Sequence, residues 1–225
     1  MSTTENTIEV ISADGFCFNA YHVPPTGPRK GGLVMIMDIF GVTPHVREVC
    51  DDFARYGYEI LSPHLFDRIR PKHQSGYSDP EIEQCIQMRS LTAYDTAIMD
   101  VQACLDRLKP AGKVGVFGFC YGAVISFLAA CRCTDVTAAS TWYGSQIKNF
   151  VDETPHCPMV CHFAERDEGI PLSVVHEIRE AQPGIGVFVY PAEHGFYTDQ
   201  PELHDPNASA LSQKRTLRLF SQFIG

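Results

Sequence analysis

The chain has 225 residues, 44% of them hydrophobic, and a formal net charge of −9. That length suits a single α/β domain spanning residues 1–225, and the acidic balance argues against a nucleic-acid partner, which requires a basic surface. No apolar run is long enough to span a membrane, and the polar first residues do not resemble a secretory signal.

Short β-rich runs alternate with amphipathic segments, which predicts a mostly parallel twisted sheet with helices on both faces. An opening hairpin is expected at TIEVIS and FCFNAYHV, joined by Asp14 and Gly15. The later strands are predicted, in chain order, at GLVMIMDIF, YEILSP, KVGVF, TAASTWYG, PMVCHFA and GVFVYPA. Helices are predicted at HVREVCDDFARYG, across a long region from about 81 to 108, and at AVISFLAACR, LSVVHEIREA and ASALSQKRTLRLFSQF.

The pentapeptide G-F-C-Y-G at residues 118–122 stands where a predicted strand passes into a helix. A G-x-nucleophile-x-G sequence in that context is typical of a nucleophile elbow, whose sharp turn exposes the central residue. Side chains two positions away would collide, so glycine is needed at both. Cys120 would stand at a helix N-terminus, where the partial positive charge favours a thiolate. The competing interpretation is a buried cysteine that fills a glycine-lined turn.

A cysteine nucleophile needs a base, and the base needs a carboxylate to orient it. Among nine histidines, His194 directly follows a predicted strand and precedes Gly195, which lets its loop approach the site closely. His162 lies inside an apolar strand pattern and is predicted to be a core residue. After the strand PMVCHFA, the sequence AERDEG offers three carboxylates: Glu165, Asp167 and Glu168. The chain order nucleophile, acid, histidine matches that of α/β-hydrolases.

Six segments in order resemble the dienelactone hydrolase family, the cysteine-nucleophile branch of the α/β-hydrolase fold. They are D-I-F-G at 38–41, S-P-H-L-F-D-R at 62–68, G-F-C-Y-G at 118–122, W-Y-G at 142–144, H-F-A-E-R-D at 162–167 and A-E-H-G-F at 192–196. The resemblance implies that fold without a large lid domain. It also implies a lactone or carboxylic ester hydrolase of the carboxymethylenebutenolidase type, with no cofactor. Cys120 would be the nucleophile, His194 the base and Asp167 the orienting acid, with a thioester acyl-enzyme.

The resemblance also assigns the oxyanion donors to the backbone N–H groups of Ile39 and Tyr121. Asp38 stands where the family has a glutamate that holds the resting thiol, and its side chain is one methylene shorter. It would position the Cys120 thiol through a water molecule, or hold the backbone of residues 38–41, the oxyanion loop, instead.

The substrate pocket is expected to hold mostly aromatic side chains and one arginine: Phe40, Arg68, Trp142, Tyr143, Phe196 and Tyr197. Thr198 stands where the family has an arginine for a substrate carboxylate, and Arg89 falls out of register with the family's other arginine. A buried anion without a partner is costly, so a neutral ester or lactone is the expected substrate.

Other functions stay open on the same residues. One alternative is a promiscuous cysteine esterase, a thioesterase or a phosphoester hydrolase on the same fold. The other is a non-catalytic module for thiol redox sensing or ligand binding. A metal site is disfavoured, because C-R-C and C-P-M-V-C lack paired C-x-x-C spacing. The nine cysteines are typical of reduced thiols in a cytoplasmic protein. We expect a small-molecule substrate, neither a nucleic-acid nor a membrane partner, and a monomer or weak homodimer.

Overall fold

Strands and helices alternate along residues 6–225, the part of the chain that the computed structural model describes. The strands of that part are β1 (Thr7–Ile11), β2 (Cys17–Val23), β3 (Gly31–Ile36), β4 (Tyr58–Pro63), β5 (Val114–Phe119), β6 (Val136–Trp142), β7 (Met159–Arg166) and β8 (Gly186–Glu193). Its α-helices are α1 (Pro44–Arg55), α2 (Asp79–Leu91), α3 (Tyr94–Leu108), α4 (Tyr121–Arg132), α5 (Leu172–Ala181) and α6 (Pro206–Phe223).

The strands form a mixed sheet in the order β1-β2-β4-β3-β5-β6-β7-β8. The pairings of β1 with β2 and of β2 with β4 are antiparallel, and the others are parallel. Every residue of β3 and β5 is buried, as is usual for parallel strands covered on both faces. The carboxyl ends of β3, β5, β7 and β8 therefore lie along one edge, where an α/β sheet places its functional groups.

The alternation follows the sequence prediction, and two elements differ by more than one or two residues at an end. The strand predicted over GLVMIMDIF ends at Ile36, because the chain turns at Asp38, whose carboxylate accepts the N–H of Phe40. The helical region predicted from about 81 to 108 is two helices. Thr92 between them is extended, with φ −98° and ψ 107°, and its hydroxyl donates to the carbonyl of Met88 at 3.0 Å.

The helix behind the elbow, α4, is the most deeply buried helix of the fold. Every residue from 121 to 131 is buried, so this helix is apolar on all sides, as a helix enclosed by other elements must be. It packs on β5 and β6 and against α3. A helix held in this way gives Cys120, at its N-cap, a fixed position.

The last helix, α6, is tied to the sheet by buried contacts. Trp142 Nε1 donates to Ser212 Oγ at 2.9 Å. Just beyond the helix, Ile224 is 5% exposed and belongs to the core, and Tyr58 Oη donates to the carbonyl of Gly225 at 2.9 Å. The helix thereby joins the β6 side of the sheet to the β4 side.

No helix within residues 6–225 combines the length and the apolar character needed to cross a membrane. The first five residues, on which the expectation about a secretory signal partly depends, lie outside the described residues.

Candidate active site

The elbow predicted at residues 118–122 is a sharp turn between β5 and α4. Cys120 has φ 49° and ψ −105°, and a positive φ is uncommon and strained for a residue other than glycine. A Cβ on Gly118 would lie 2.5 Å from the carbonyl oxygen of Gly122, and a Cβ on Gly122 would lie 2.2 Å from that of Ile36. Glycine is therefore required at both positions, for the steric reason that the sequence pattern indicates.

The Cys120 side chain is half-buried at the point where two cavities meet. Its own N–H donates to the carbonyl of Trp142 at 2.9 Å, which ties the turn to β6. The smaller cavity, of about 160 Å³, is lined by Cys120 and Ser145 together with Ile39, Ile86, Arg89, Tyr121, Val124 and Gln146. The wider one, of about 520 Å³, shares Cys120 and Ser145 and adds Arg166, Asp167, Glu168, Gly169, Glu193, His194 and Leu203.

His194 and Asp167 meet because they follow the neighbouring strands β8 and β7. His194 Nδ1 lies 2.6 Å from Asp167 Oδ2, and since a carboxylate accepts, Nδ1 carries the proton of that bond. Asp167 Oδ1 accepts the backbone N–H groups of Gly169 at 2.9 Å and Ile170 at 3.1 Å. The Asp167 side chain is only 1% exposed. The carboxylate is thus fixed, and it fixes the imidazole with Nε2 available to another group.

The charge on His194 depends on both of its neighbours. Burial alone would lower the pKa of His194, but hydrogen bonds to Asp167 and Cys120, and their charges, outweigh it and raise the pKa to about 10. The imidazole is therefore stabilised in its protonated form between a thiol and a carboxylate. Cys120, His194 and Asp167 lie together at one rim of the sheet, while their catalytic roles stay predictions.

Asp38 lies two residues beyond the end of β3. Its Oδ1 accepts the N–H of Phe40 at 2.8 Å, and the next residue, Ile39, lines the cavity with Cys120 and Tyr121. Burial, with a smaller contribution from the charge of Asp199, outweighs the lowering effect of the Phe40 hydrogen bond and raises the pKa of Asp38 to about 7. The carboxyl group thus changes charge near neutral pH.

Tyr143 is the predicted pocket aromatic that lies closest to the candidate base. Its ring centroid is 4.9 Å from that of His194, and its backbone has a positive φ of 42°. Burial raises the pKa of Tyr143 well above its usual value, and the charges of Asp38 and Cys120 add to the effect. The half-buried Phe40 places its ring edge-on against Tyr77 at 4.8 Å. Tyr143 therefore borders the site, whereas Phe40 packs on the segment beside it.

Four residues expected in the pocket lie elsewhere. Arg68 is held by Asp14 and Asp100, at 2.6 and 2.8 Å, and neither cavity at Cys120 includes it. Trp142 and Phe196 are fully buried core residues, because their rings pack among other aromatic side chains. Tyr197 lines a separate cavity of about 620 Å³ with His45 and His204.

Arg89 is the residue that sequence reasoning left out of the site. It lies on α2 and lines the smaller cavity with Cys120, and its Nη2 donates to Tyr94 Oη at 3.1 Å. A phenol does not neutralise a guanidinium, so the positive charge stays in the cavity. The only sequence signal was its i, i+3 spacing from Ile86, which also lines the cavity.

Within residues 6–225, no group of three or more histidine, cysteine, aspartate or glutamate side chains could hold a metal ion. His162, expected in the core, is fully buried, with Nδ1 2.8 Å from Tyr190 Oη and Nε2 3.0 Å from Thr216 Oγ1.

A mostly parallel sheet with an elbow after its central strand defines the class of α/β-hydrolases. Within that class, the sequence profile of the dienelactone hydrolase family matches residues 18–224. The chain belongs to the dienelactone hydrolase family, a family of hydrolases. The resemblance carried by the six sequence segments and the predicted fold class are thereby confirmed.

Individual relatives are distant in sequence. A Synechocystis protein, provisionally named carboxymethylenebutenolidase, is 29% identical over 209 residues, which cover 84% of both chains. The carboxymethylenebutenolidase of Pseudomonas putida is 27% identical over 221 residues, 93% of both chains.

Solved structures are similar in fold. A Klebsiella pneumoniae protein, provisionally named dienelactone hydrolase, has a TM-score of 0.83 at 23% identity and covers 96% of this chain and 98% of its own. A dienelactone hydrolase-like promiscuous phosphotriesterase from metagenomic libraries has a TM-score of 0.75 at 20% identity, with 97% and 98% covered.

Proposed function

We propose that this protein hydrolyses small lactones or carboxylic esters through a thioester on Cys120. The observation that carries the proposal is the convergence of three groups: a cysteine on a strained elbow, a histidine that lines the same cavity, and a buried carboxylate hydrogen-bonded to that histidine. A thiol sensor or ligand-binding module needs no oriented base, so this arrangement favours an enzyme.

The first half of the reaction forms the thioester. Transfer of the thiol proton to His194 leaves the imidazole in the protonated form that its neighbours favour, and the Cys120 sulfur attacks the carbonyl carbon. The resulting oxyanion binds the N–H groups of Ile39 and Tyr121, each donor being worth about 2.7–4 kcal/mol of transition-state stabilisation. When the C–O bond to the leaving alkoxide or enolate breaks, His194 returns the proton to that oxygen. The raised pKa of His194 keeps the proton available for this step.

The second half returns the enzyme to its resting state. His194 accepts a proton from water, whose oxygen attacks the thioester carbon. The same two N–H groups stabilise the second oxyanion. The C–S bond then breaks, the sulfur recovers the proton from His194, and the carboxylic acid leaves. Asp167 accepts the Nδ1–H throughout and holds the imidazole in one tautomer.

Arg89 favours a substrate with an anionic group. Its guanidinium and the nucleophile share the cavity of about 160 Å³, a volume that admits a small acyl group. A carboxylate on that group would find in Arg89 a charged partner and two parallel donors. This modifies the expectation of a neutral substrate, which followed from the apparent lack of a suitably placed arginine.

The test measures turnover of a chromogenic ester by Cys120→Ala and by His194→Ala. We expect each variant to lose at least about 10³-fold in kcat, because the residues act as a unit. Cys17→Ala is the matched control, since Cys17 is an exposed cysteine on β2, and it should match the wild type. Turnover near the wild-type rate in either site variant, with folding intact by circular dichroism, would overturn the proposal.

The substrate preference has its own test. Paired esters that differ only in a free carboxylate on the acyl side are compared in the wild type and in Arg89→Gln. We expect Arg89→Gln to raise KM for the anionic ester about tenfold or more and to leave the neutral ester within about twofold. Equal effects on both esters would contradict an anion-binding role for Arg89.

A further inference from the structure

The oxyanion loop, residues 38–41, is closed on itself by one side chain. Asp38 Oδ1 accepts the N–H of Phe40, two residues on, at 2.8 Å. An aspartate that binds the backbone in this way forms a turn of its own. The ring that this hydrogen bond closes contains the peptide unit between Asp38 and Ile39. The bond therefore restricts the rotation of the Ile39 N–H, which borders the cavity at Cys120.

The far side of the same loop is fixed by a different segment. The Ser75 N–H donates to the carbonyl of Phe40 at 3.0 Å, and Gly41 forms a β-bridge with Gln74. Gly41 has φ +91°, and a Cβ there would lie 2.0 Å from the carbonyl oxygen of His73. These contacts hold the end of the loop that lies away from the nucleophile. The orientation of the Ile39 N–H depends on the Asp38 carboxyl group.

We propose that Asp38 positions the oxyanion loop, by accepting the Phe40 N–H and so directing the Ile39 N–H at the oxyanion. This inference deepens the proposed function and rests on it. It differs from the role that the family resemblance implies for this position, in which a carboxylate holds the resting thiol.

The loop role needs an acceptor oxygen and does not need a charge. Burial and the charge of Asp199 favour the neutral carboxyl, so that both protonation states occur near neutral pH. Each state offers an oxygen to the Phe40 N–H. An asparagine side chain has the same length and carries an acceptor oxygen in the same place. A thiol-holding role would instead depend on the negative charge.

The first test compares Asp38→Asn with Asp38→Ala in ester hydrolysis. We expect Asp38→Ala to lower kcat by about 10–100-fold with KM within about twofold, because an oxyanion donor acts in the transition state. Asp38→Asn should keep kcat within about threefold. Asp199→Asn is the matched control, because it removes the neighbouring charge and keeps an oxygen for the hydroxyl of Tyr77, which packs on Phe40. Equal losses in Asp38→Asn and Asp38→Ala, or no loss in either, would overturn the proposal.

The second test separates the loop from the thiol. Alkylation of Cys120 by iodoacetamide forms no oxyanion, and its rate can be followed by mass spectrometry of the Cys120 peptide. We expect Asp38→Ala to alkylate within about twofold of the wild type while its ester turnover falls. A parallel fall in alkylation would assign Asp38 to the thiol. Full turnover by Cys120→Ala is a separate failure, because it would remove the proposed function whatever the Asp38 variants show.

Discussion

Asp167 uses both of its carboxylate oxygens within the protein. Oδ1 accepts two backbone N–H groups, and Oδ2 accepts the Nδ1–H of His194 at 2.6 Å. The loop after β7 therefore folds around this one carboxylate, and Glu165, close by in sequence, is exposed. Burial distinguishes Asp167 from the other carboxylates of its segment.

Asp167→Asn should reduce kcat by about 10²–10⁴-fold, because an amide that donates to Nδ1 holds the imidazole in the wrong tautomer. The change keeps the size of the side chain, so the fold should survive. Steady-state kinetics with a chromogenic ester measures the loss. Glu165→Gln makes the same chemical change on the exposed carboxylate and should leave kcat unaltered. A small effect of Asp167→Asn would show that another carboxylate orients His194.

His194 should make the stability of the protein depend on pH in the alkaline range. Its pKa is about 10 in the folded protein and about 6.5 in an unfolded chain. The folded state therefore keeps a proton that the unfolded state releases. The contribution of His194 to the free energy of unfolding is complete below about pH 6.5 and is lost as the pH rises through about 10.

Urea unfolding at pH 7, 8.5 and 10 measures this dependence. We expect the free energy of unfolding to fall more steeply with pH in the wild type than in His194→Gln. Parallel curves for the two proteins would mean that His194 is not protonated in the folded state.

At the residue scale, polar groups were easier to predict from sequence than apolar ones. Cys120, His194 and Asp167 each follow a strand, so the order of strands in the sheet suffices to bring them near one another. An aromatic residue such as Trp142 has the same sequence pattern whether its ring turns under the sheet or into a pocket. Predicting that Arg89 lies in the site would have required the position of α2 in the fold, and no local sequence pattern gives that position.

At the scale of elements, the junction of β5 and α4 brings the backbone of α4 very close to the backbone of the β3 end. A Cβ on Gly122 would lie 2.2 Å from the Ile36 carbonyl and 2.5 Å from that of Met37, both of them main-chain atoms. Main-chain atoms of a central strand cannot move aside as a flexible side chain does. The separation of β3 and α4 is therefore set by the absence of a side chain at Gly122.

Gly122→Ala should lower the free energy of unfolding by about 1–3 kcal/mol or more, as overpacking of a core does. Chemical denaturation measures the change. Gly184→Ala is the control, because a Cβ on Gly184 would meet nothing within 4 Å, and it should be close to neutral. Equal stabilities of the two variants would show that the junction can widen.

The helical region between β4 and β5 shows where element boundaries escape sequence reasoning. Neither glycine nor proline marks the sequence Leu91-Thr92-Ala93, so its apolar pattern runs on from α2 to α3. The break depends on an extended Thr92 whose hydroxyl caps the Met88 carbonyl. By contrast, β5 and α4 were recognisable, because their long and mostly apolar run fits only the interior of the fold.

At the scale of the whole molecule, α6 links distant parts of the sheet. Its Ser212 accepts a hydrogen bond from Trp142 on β6, and Phe220 packs against Tyr58 on β4 and Phe53 on α1. Segments as far apart in sequence as Phe53 and Trp142 thus pack on this one helix. We expect the free energy of unfolding to depend on side chains at the C-terminal end of α6.

Ile224→Ala should lower the free energy of unfolding by about 2–5 kcal/mol, because it removes a buried side chain and leaves a cavity. Leu211→Ala on α6 is the matched control, since Leu211 is 43% exposed, and it should change stability by about 0.5 kcal/mol or less. Urea denaturation of the two variants gives the comparison. A similar small effect for both would mean that the end of the chain is not held.

The cysteines differ so much in exposure that the reactive thiols of the native protein can be counted. Cys17 is exposed, Cys120 and Cys157 are partly buried, and the other six cysteines are buried. Burial raises the pKa of Cys157 to about 12, which keeps that thiol protonated and slow to react. A chromogenic disulfide reagent should thus register two fast thiols in the native protein and nine in denaturant. In a Cys17→Ala background one fast thiol is left, so its stoichiometry would give the fraction of molecules with a competent site, an active-site titration without substrate.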